Sequence, residues 1–234
     1  ADSTSSLPGQ DEDGQSESVP QPAAKPSAAP PAEAPMVGPQ AVDQQTEIDA
    51  NTVIVTTYAE LSAVVTGANS YTLIYLGADI EGSAGITIPS GKTNLVISGS
   101  PPEEYGGGRY RWYQNGTGSS NNFSFADSAG SISFRQMDIL ALNYYGIVND
   151  NGAPVTVTLD DVKYNGPEGF YVWNGTVRFI DSTITIEQPA GANVAQEVAE
   201  CRNVVLGGAT TITANYNPIF QYRSTPSGMT ILDN

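Results

Sequence analysis

The chain has 234 residues, a net charge of −16 and no histidine. The acidic charge argues against a nucleic-acid partner or an anionic membrane surface, because binding to phosphates requires a basic footprint. The absence of imidazole excludes Ser-His-Asp catalysis and most zinc sites, and no run approaches the roughly 20 apolar residues of a transmembrane helix.

Residues 1–50 differ in composition from the rest of the chain. They contain half of the sixteen prolines, no aromatic residue, nine acidic residues and a single basic one, Lys25. Such a segment cannot bury enough apolar surface to offset an ordering cost of about 1–2 kcal/mol per residue. We therefore expect a disordered acidic segment, in which residues 20–39 favour extended polyproline II and act as a spacer. A plain disordered end without a spacer role is the alternative.

A short helix is predicted at the start of the ordered part, which we place at Asn51. The stretch Thr57-Tyr58-Ala59-Glu60 has the form of a capping box. Apolar residues follow it at helical spacing, namely Leu61, Val64 and Val65. Gly67 is placed to end the helix, which predicts a span of about 58–66. A helix at this point would shield the end of stacked strands from water and from edge pairing.

Beyond the helix the chain is predicted to consist of short strands, interrupted by a polar, glycine-rich excursion over residues 98–122. Over residues 131–186 the pattern is a period-2 strand, a polar corner and a second period-2 strand, repeated. Equivalent apolar positions, Phe134, Leu159 and Phe179, are separated by 25 and 20 residues. A degenerate repeat of this length without an internal helix predicts the stacked coils of a parallel β-solenoid, with these three side chains in its interior.

The repeat pattern continues to the end of the sequence. Residues 229–232 have the pattern of another unit, and Asp233-Asn234 takes the place of its polar corner. We therefore expect residues 51–234 to be one β-helix domain, cut from a longer protein at its C-terminal end. The one cysteine, Cys201, precedes an apolar run and is expected to be a buried side chain, not a reactive thiol.

Short motifs in the ordered part carry a resemblance to a known family. They are Tyr58-Ala59-Glu60-Leu61, Leu76-Gly77-Ala78-Asp79-Ile80, Ile86-Thr87-Ile88-Pro89-Ser90-Gly91-Lys92, Leu95-Val96-Ile97-Ser98-Gly99, Asn143-Tyr144-Tyr145-Gly146, Phe179-Ile180-Asp181-Ser182-Thr183-Ile184 and Gln196-Glu197-Val198-Ala199-Glu200. This set resembles the pectate-lyase-like adhesive domains near the N-terminus of large surface proteins of Gram-positive bacteria. The resemblance covers about residues 51–234. It implies a right-handed parallel β-helix with an adhesive or structural role at the cell surface, and it does not imply catalysis.

Acidic residues at the polar corners support an alternative function. A polysaccharide lyase of similar fold resembles this chain in architecture and uses acidic calcium ligands with an arginine base. The candidate carboxylates here are Asp138, Asp160, Asp161 and Asp181, with Arg135 and Arg178 nearby in the repeat. Stacked coils would place Asp161 and Asp181 about one rung, ~4.8 Å, apart. The simpler interpretation is that these acids cap the turns between strands. We expect the turn role, with no catalytic residue and no metal or cofactor; calcium enters only under the lyase alternative.

One group of aromatic residues, Tyr110, Trp112 and Tyr113, lies in the glycine-rich excursion. We expect these side chains to form an exposed patch, because loops carry binding residues more often than regular elements do. Tyrosine and tryptophan combine an apolar ring with a polar group, which suits contact with sugar rings and with protein surfaces. The group is therefore a candidate binding site.

A second group of aromatic residues lies in the repeat. Phe170, Tyr171, Val172 and Trp173 alternate, so Phe170 and Val172 should face one side of a strand and Tyr171 and Trp173 the other. One of the two faces must be core. Tyr171 and Trp173 are the candidate binding residues on the other face.

The expected function is that of an extracellular adhesion or display module on a bacterial cell surface or cell wall. Its partner would be a host or environmental glycan or a surface protein, recognised on a long rigid face. Two alternatives remain open on the sequence, a carbohydrate-active enzyme of the polysaccharide lyase type and a structural spacer. Charged acid and arginine residues clustered in an outer groove would favour the enzyme, whereas an aromatic, weakly charged face would favour adhesion.

Overall fold

The computed structural model describes residues 46–117, 121–126, 130–150, 152, 154–215, 219–222 and 227–232. These residues are mostly β-structure, with one α-helix, α1 (Tyr58–Thr66), and a three-residue 3-10 helix, Glu103–Tyr105. The strands in chain order are β1 (Thr46–Asp49), β2 (Thr52–Val55), β3 (Leu73–Leu76), β4 (Ile80–Gly82), β5 (Ile86–Ile88), β6 (Asn94–Ser98), β7 (Arg111–Gln114), β8 (Phe123–Phe125), β9 (Ser131–Ala141), β10 (Val148–Asn149), β11 (Thr156–Gly166), β12 (Phe170–Ile180), β13 (Thr183–Ile186), β14 (Ala199–Gly207), β15 (Thr211–Ala214), β16 (Phe220–Tyr222) and β17 (Gly228–Ile231).

All of the strands except β1 pair in parallel and form three ladders within one long sheet; β1 pairs antiparallel with β2. The first ladder contains β2, β3, β6, the first halves of β9 and β11, the second halves of β12 and β14, and β17. The second contains β4, β7, the second halves of β9 and β11, β13 and β15. The third contains β5, β8, β10, the first halves of β12 and β14, and β16. The chain passes through them in the repeating order first, second, third, which confirms an all-β protein with a parallel-rich sheet.

We call each round of the chain through the three ladders a passage. Apolar side chains from successive passages stack in register on the inner side of each ladder. In the first ladder Phe134 pairs with Leu159, and Leu159 pairs with Phe179. All three are at most 1% exposed, which confirms that they lie in the interior. The row extends to Ile97 on one side and to Leu206 on the other. Each fully buried side chain of this kind contributes about 1.5–3 kcal/mol through removal of apolar surface from water, and this is what holds the passages together.

Helix α1 forms where the sequence predicts it. The Thr57 side chain accepts a hydrogen bond from the Glu60 backbone N–H, and the Glu60 carboxylate accepts from the Thr57 N–H. Its buried face consists of Leu61, Val64 and Val65, as predicted. The helix ends at Gly67 with an extended backbone, so this glycine stops the helix without the left-handed conformation common at helix ends.

A buried lysine holds the C-terminal end of α1 to the strands. Lys92, in the turn between β5 and β6, is 8% exposed, and its Nζ donates hydrogen bonds to the Val64 carbonyl and, at 2.7 Å, to Asn69 Oδ1. A positive charge at this end of a helix is favourable, because the last carbonyls are unpaired and the helix dipole is negative there. The contact fixes the C-terminal end of α1 against the turn between β5 and β6.

The corner between the first and second ladders uses a left-handed backbone conformation in successive passages. Gln136, Asp161 and Asp181 have φ angles of 47°, 52° and 48°, and Gly208 has the same conformation at the next passage, with φ 60°. This conformation costs about 1–2 kcal/mol for residues other than glycine, and short polar side chains tolerate it best. The prediction that Asp161 and Asp181 lie at corners is confirmed.

Two predicted boundaries are wrong. Strand β1 lies within the stretch assigned to the disordered segment, so regular structure begins before Asn51; residues 1–45, to which the rest of that prediction applies, lie outside the described part. The glycine-rich excursion contains strand β7, which pairs with β4 and β9 as a full member of the second ladder. Strand β17 confirms the strand predicted at residues 229–232, and the corner expected at residues 233–234 is outside the described residues.

In the part of the chain that the structure describes, no helix has the length and apolar character needed to cross a bilayer.

Candidate functional site

Trp112 does not belong to an exposed patch, contrary to the prediction. It is 2% exposed and lies in the inner row of the second ladder, paired with Ile80 on one side and Ile139 on the other. Its ring packs against Phe123, with the ring centroids 5.4 Å apart, and against Tyr58 of α1 at 6.4 Å. The reason is the period-2 alternation of β7, which turns every second side chain inward.

Tyr110 and Tyr113 are half-buried, and Tyr113 points to the outer side of β7 because it follows Trp112 directly. Tyr110 lies just before the strand, where burial, with a smaller contribution from Asp79, raises the pKa of its phenol. The three residues therefore do not form one exposed surface, since Trp112 occupies the opposite face of the strand.

The second group of candidates does lie on the outer surface. Phe170 and Val172 are fully buried, whereas Tyr171 and Trp173 are half-exposed, which confirms the predicted division of faces in β12. Their rings are in contact, with centroids 5.7 Å apart. Alternation places both on the outer side of the third ladder and its continuation.

Two further tyrosines extend this pair into a row of four rings. The ring of Tyr145 lies 4.9 Å from that of Tyr171 at an interplanar angle of 78°, and 4.9 Å from that of Tyr144 at 76°. We refer to Tyr144, Tyr145, Tyr171 and Trp173 as the aromatic strip. Edge-to-face contacts of this kind are worth about 0.5–1.5 kcal/mol each beyond the burial of area, so the rings hold one another in place.

The loop between β9 and β10 fixes Tyr144 and Tyr145. Asn143 is fully buried and its Oδ1 accepts a hydrogen bond of 2.8 Å from the Tyr145 N–H. Gly146 follows with a φ of 67° and forms an isolated bridge with Phe170 at the start of β12. The backbone that carries Tyr144 and Tyr145 is therefore fixed by a hydrogen bond within the loop and by the bridge from Gly146 to β12.

Polar groups surround the strip. The Tyr144 hydroxyl donates to Gln196 Oε1 at 3.4 Å, and the Trp173 Nε1–H donates to Glu200 Oε2 at 3.3 Å. Glu200 is 6% exposed, so the indole is held by a carboxylate that lies beneath the surface. Such contacts orient the rings.

Burial raises the pKa of the Tyr144 phenol, and the carboxylates of Glu168, Glu197 and Glu200 raise it further. The phenol is therefore protonated at neutral pH and acts as a hydrogen-bond donor. Glu168 and Glu197 are themselves buried, at 1% and 9% exposure. The strip thus combines apolar rings with hydrogen-bonding groups at their edges.

The three acids considered as calcium ligands all have other partners. Asp160 Oδ2 lies 3.1 Å from Arg135 Nε, and Asp161 Oδ1 lies 3.2 Å from Arg109 Nη1. Asp181 Oδ1 accepts a hydrogen bond of 2.8 Å from a backbone N–H at the corner of the next passage. Among the described residues, no three or more acids, cysteines or histidines are arranged to hold a metal ion. A calcium ion at these corners would have to displace the contacts that hold successive passages together.

A groove on the outer face of the second ladder contains residues that the sequence did not single out. It has a volume of about 360 Å³ and is bordered by Arg111, Asp138 and Lys163. A second groove of about 350 Å³ adjoins it and shares Arg111 and Leu140 with it. The sequence could have indicated Arg111 only through alternation: it precedes the inward-facing Trp112, so it faces outward if residues 111–114 form a strand. The sequence pattern did not predict that strand.

Cys201 is fully buried, as predicted, and burial raises the pKa of its thiol to about 12 from an ordinary value of 9.0. At pH 8 the thiolate fraction is then roughly a thousandfold below that of an ordinary cysteine.

We expect Cys201 to show no measurable reaction with Ellman's reagent in the native protein, and to release one equivalent of thionitrobenzoate per chain in urea. Because the thiol of the unfolded chain loses its proton at a lower pH than the buried thiol does, the free energy of unfolding decreases as the pH rises from 9 towards 12. Rapid labelling without denaturant would contradict the burial.

No family model, curated protein or solved structure matches this chain.

Proposed function

We propose that the chain is an extracellular adhesion module of a bacterial cell surface, built as a right-handed parallel β-helix, and that its aromatic strip binds a glycan. The β-helix is supported by the three parallel ladders, which the chain visits in a constant order. The right-handed sense is supported by the general rule that crossovers between parallel strands of one sheet are almost always right-handed. The resemblance of the sequence motifs to pectate-lyase-like adhesive domains supports the location and the role.

The observation that carries the glycan proposal is the row of four half-exposed rings. Centroid separations of 4.9, 4.9 and 5.7 Å make a continuous contact surface longer than any single ring. Tyrosine and tryptophan lose little conformational entropy on binding, and here their positions are fixed before a ligand arrives. A glycan of several units could contact successive rings through its apolar faces and donate a hydrogen bond from a hydroxyl group to Gln196, which lies at the edge of the strip.

The proposal is tested with the full chain on a glycan array, by comparing the parent protein with Trp173→Ala and Tyr171→Ala. Removal of a central aromatic anchor typically costs more than 1.4 kcal/mol, so we expect retention of the bound glycan to decrease at least tenfold. Tyr75→Ala is the matched control, because Tyr75 is a half-buried tyrosine on the outer side of the first ladder, away from the strip. We expect Tyr75→Ala to retain the glycan as well as the parent protein does.

The outcomes separate the alternatives. Binding that Trp173→Ala and Tyr75→Ala weaken equally would contradict the strip as the site. Mass analysis of the recovered glycan that shows chain cleavage would replace the adhesion proposal with a lyase. Absence of binding to every glycan would leave a protein receptor or a purely structural spacer.

A further inference from the structure

The outer face of the second ladder brings together two basic side chains that are distant in the sequence. Arg111 in β7 pairs with Asp138 in β9, and Asp138 pairs with Lys163 in β11. The two cations therefore stand two rungs apart, about 10 Å along the ladder. Both side chains are exposed, and both border the groove of about 360 Å³.

Neither cation forms an ion pair or a side-chain hydrogen bond with any residue that the structure describes. Other basic side chains do have partners: Arg109 contacts Asp138 and Asp161, and Arg135 contacts Asp160. The carboxylate between the two free cations is already engaged, because Asp138 Oδ1 accepts a hydrogen bond of 2.9 Å from Arg109 Nε. Two unpaired cations on one groove stand out in a chain with a net charge of −16.

The rest of the groove supplies neutral polar groups. Thr183 pairs in register with Lys163, and Thr185 pairs with Asn165, so the hydroxyl groups of two threonines continue the surface beyond Lys163. A hydroxyl group can donate a hydrogen bond to an anionic oxygen without competing for the cation. The groove extends along the ladder from Arg111 to the two threonines, which suits an extended ligand better than a compact one. The adjoining groove beyond Arg111 is bordered by Asp79 and Glu81 and is not part of the site.

We propose that this groove is a second binding site, which takes an extended oligoanion with negatively charged groups about 10 Å apart, one on Arg111 and one on Lys163. Arg111 offers a planar fork of N–H donors and Lys163 a compact charge, and both suit sulfate, phosphate or carboxylate groups. Asp138 lies between the two cations, but its charge is offset by Arg109. Asp79 and Glu81 border the adjoining groove beside Arg111, so they oppose an anion that extends past Arg111. Acidic groups farther than about 8 Å away are largely screened at physiological ionic strength. The site is separate from the aromatic strip and does not depend on the proposed glycan binding.

The test measures binding of the full chain to four hexameric probes, and to inorganic sulfate for comparison, by isothermal titration calorimetry at 0.15 M salt. The probes are a sulfated oligosaccharide, a polyphosphate, a polyuronate and a neutral oligosaccharide. We expect at least one anionic probe to bind, the neutral one to fail, and Arg111→Gln or Lys163→Gln to weaken binding about tenfold or more. The preferred probe identifies the kind of anionic group.

Arg178→Gln is the matched control. Arg178 is also without an ion pair or side-chain hydrogen bond among the described residues, but it lies in the first ladder, so the variant makes the same change in net charge elsewhere. We expect less than a twofold effect, and Trp173→Ala should also leave anion binding unchanged. An equal loss in Arg178→Gln would overturn the site in favour of a general charge effect. Failure of all anionic probes, or binding of inorganic sulfate as tight as that of the hexamers, would overturn it as well.

Discussion

Replacement of Trp112 by alanine is expected to lower the free energy of unfolding by about 3–5 kcal/mol, the usual cost of removing a large buried aromatic side chain. Trp112 is 2% exposed and lies in a row of rings that leads from Tyr58 in α1 through Phe123 to Phe134. Its removal would leave a cavity between the helix and the ladders. Gly82 adds a further constraint, since a Cβ there would lie 2.4 Å from the indole, so the site is shaped around the tryptophan.

The matched control is the next residue along the strand. Tyr113 has the same strand environment but faces outward, so Tyr113→Ala should change the free energy of unfolding by less than about 1 kcal/mol. Urea denaturation followed by circular dichroism gives both values. Similar effects of the two substitutions would show that Trp112 is not in the core. Loss of ligand binding without loss of stability in Trp112→Ala would restore it as a binding residue.

Replacement of Gly146 by alanine is expected to destabilise the protein by about 2–6 kcal/mol and to release one end of the aromatic strip. Gly146 has a φ of 67°, and a Cβ there would lie 2.1 Å from the Gly169 carbonyl oxygen and 2.7 Å from the Phe170 nitrogen. Left-handed strain costs about 1–3 kcal/mol and overpacking a further 1–3 kcal/mol. The clash is with backbone, which cannot rotate away as a side chain can.

The Gly146→Ala substitution should also disturb the aromatic strip, because residue 146 adjoins two of its tyrosines. Gly146 comes directly after Tyr144 and Tyr145, and its carbonyl accepts hydrogen bonds from Gln114 Nε2 at 3.0 Å and from Asn122. Gly91→Ala is the control, because Gly91 lies in a turn where a Cβ would meet no atom within 4 Å. We expect Gly91→Ala to melt within a few degrees of the parent in a thermal scan, whereas Gly146→Ala melts well below it. Equal melting temperatures would show that the loop can move away from β12.

Features whose causes are local were predictable from the sequence. The capping box of α1 involves Thr57 and Glu60, which lie three residues apart, so the hydrogen bonds form wherever the helix sits. The inner row of Phe134, Leu159 and Phe179 follows from period-2 alternation, because a strand with one buried face turns its apolar side chains to that face. The corners at Asp161 and Asp181 follow from the short polar residues that tolerate a left-handed backbone.

The position of Trp112 was not predictable in the same way. The glycines and polar residues of segment 98–122 are typical of a loop, and a strand of only four residues within it is too short to be predicted from its own pattern. Pairing with β4 and β9 decides the conformation, since both neighbours supply hydrogen bonds and apolar contacts that the local sequence does not contain.

The aromatic strip and the groove depend on which passages of the chain lie side by side. Tyr171 was a candidate on the sequence, but its contact with Tyr145 exists only because the loop after β9 folds against β12. Arg111 and Lys163 share one groove because β7, β9 and β11 are neighbours in register. The lengths of the loops between corners vary, and the sequence pattern alone does not fix the register that results.

The class of fold, the helix after β2, the residues of the main inner row and the burial of Cys201 were all predictable from the amino-acid sequence. All of these follow from alternation and from hydrogen bonds between near neighbours. The tertiary structure alone decided that Trp112 is core, that four rings form one strip and that two unpaired cations face the same groove. These three features depend on contacts between residues that are distant in the sequence. The free energy that stabilises such contacts comes from the packing of neighbouring passages against one another, so no single segment of the sequence contains it.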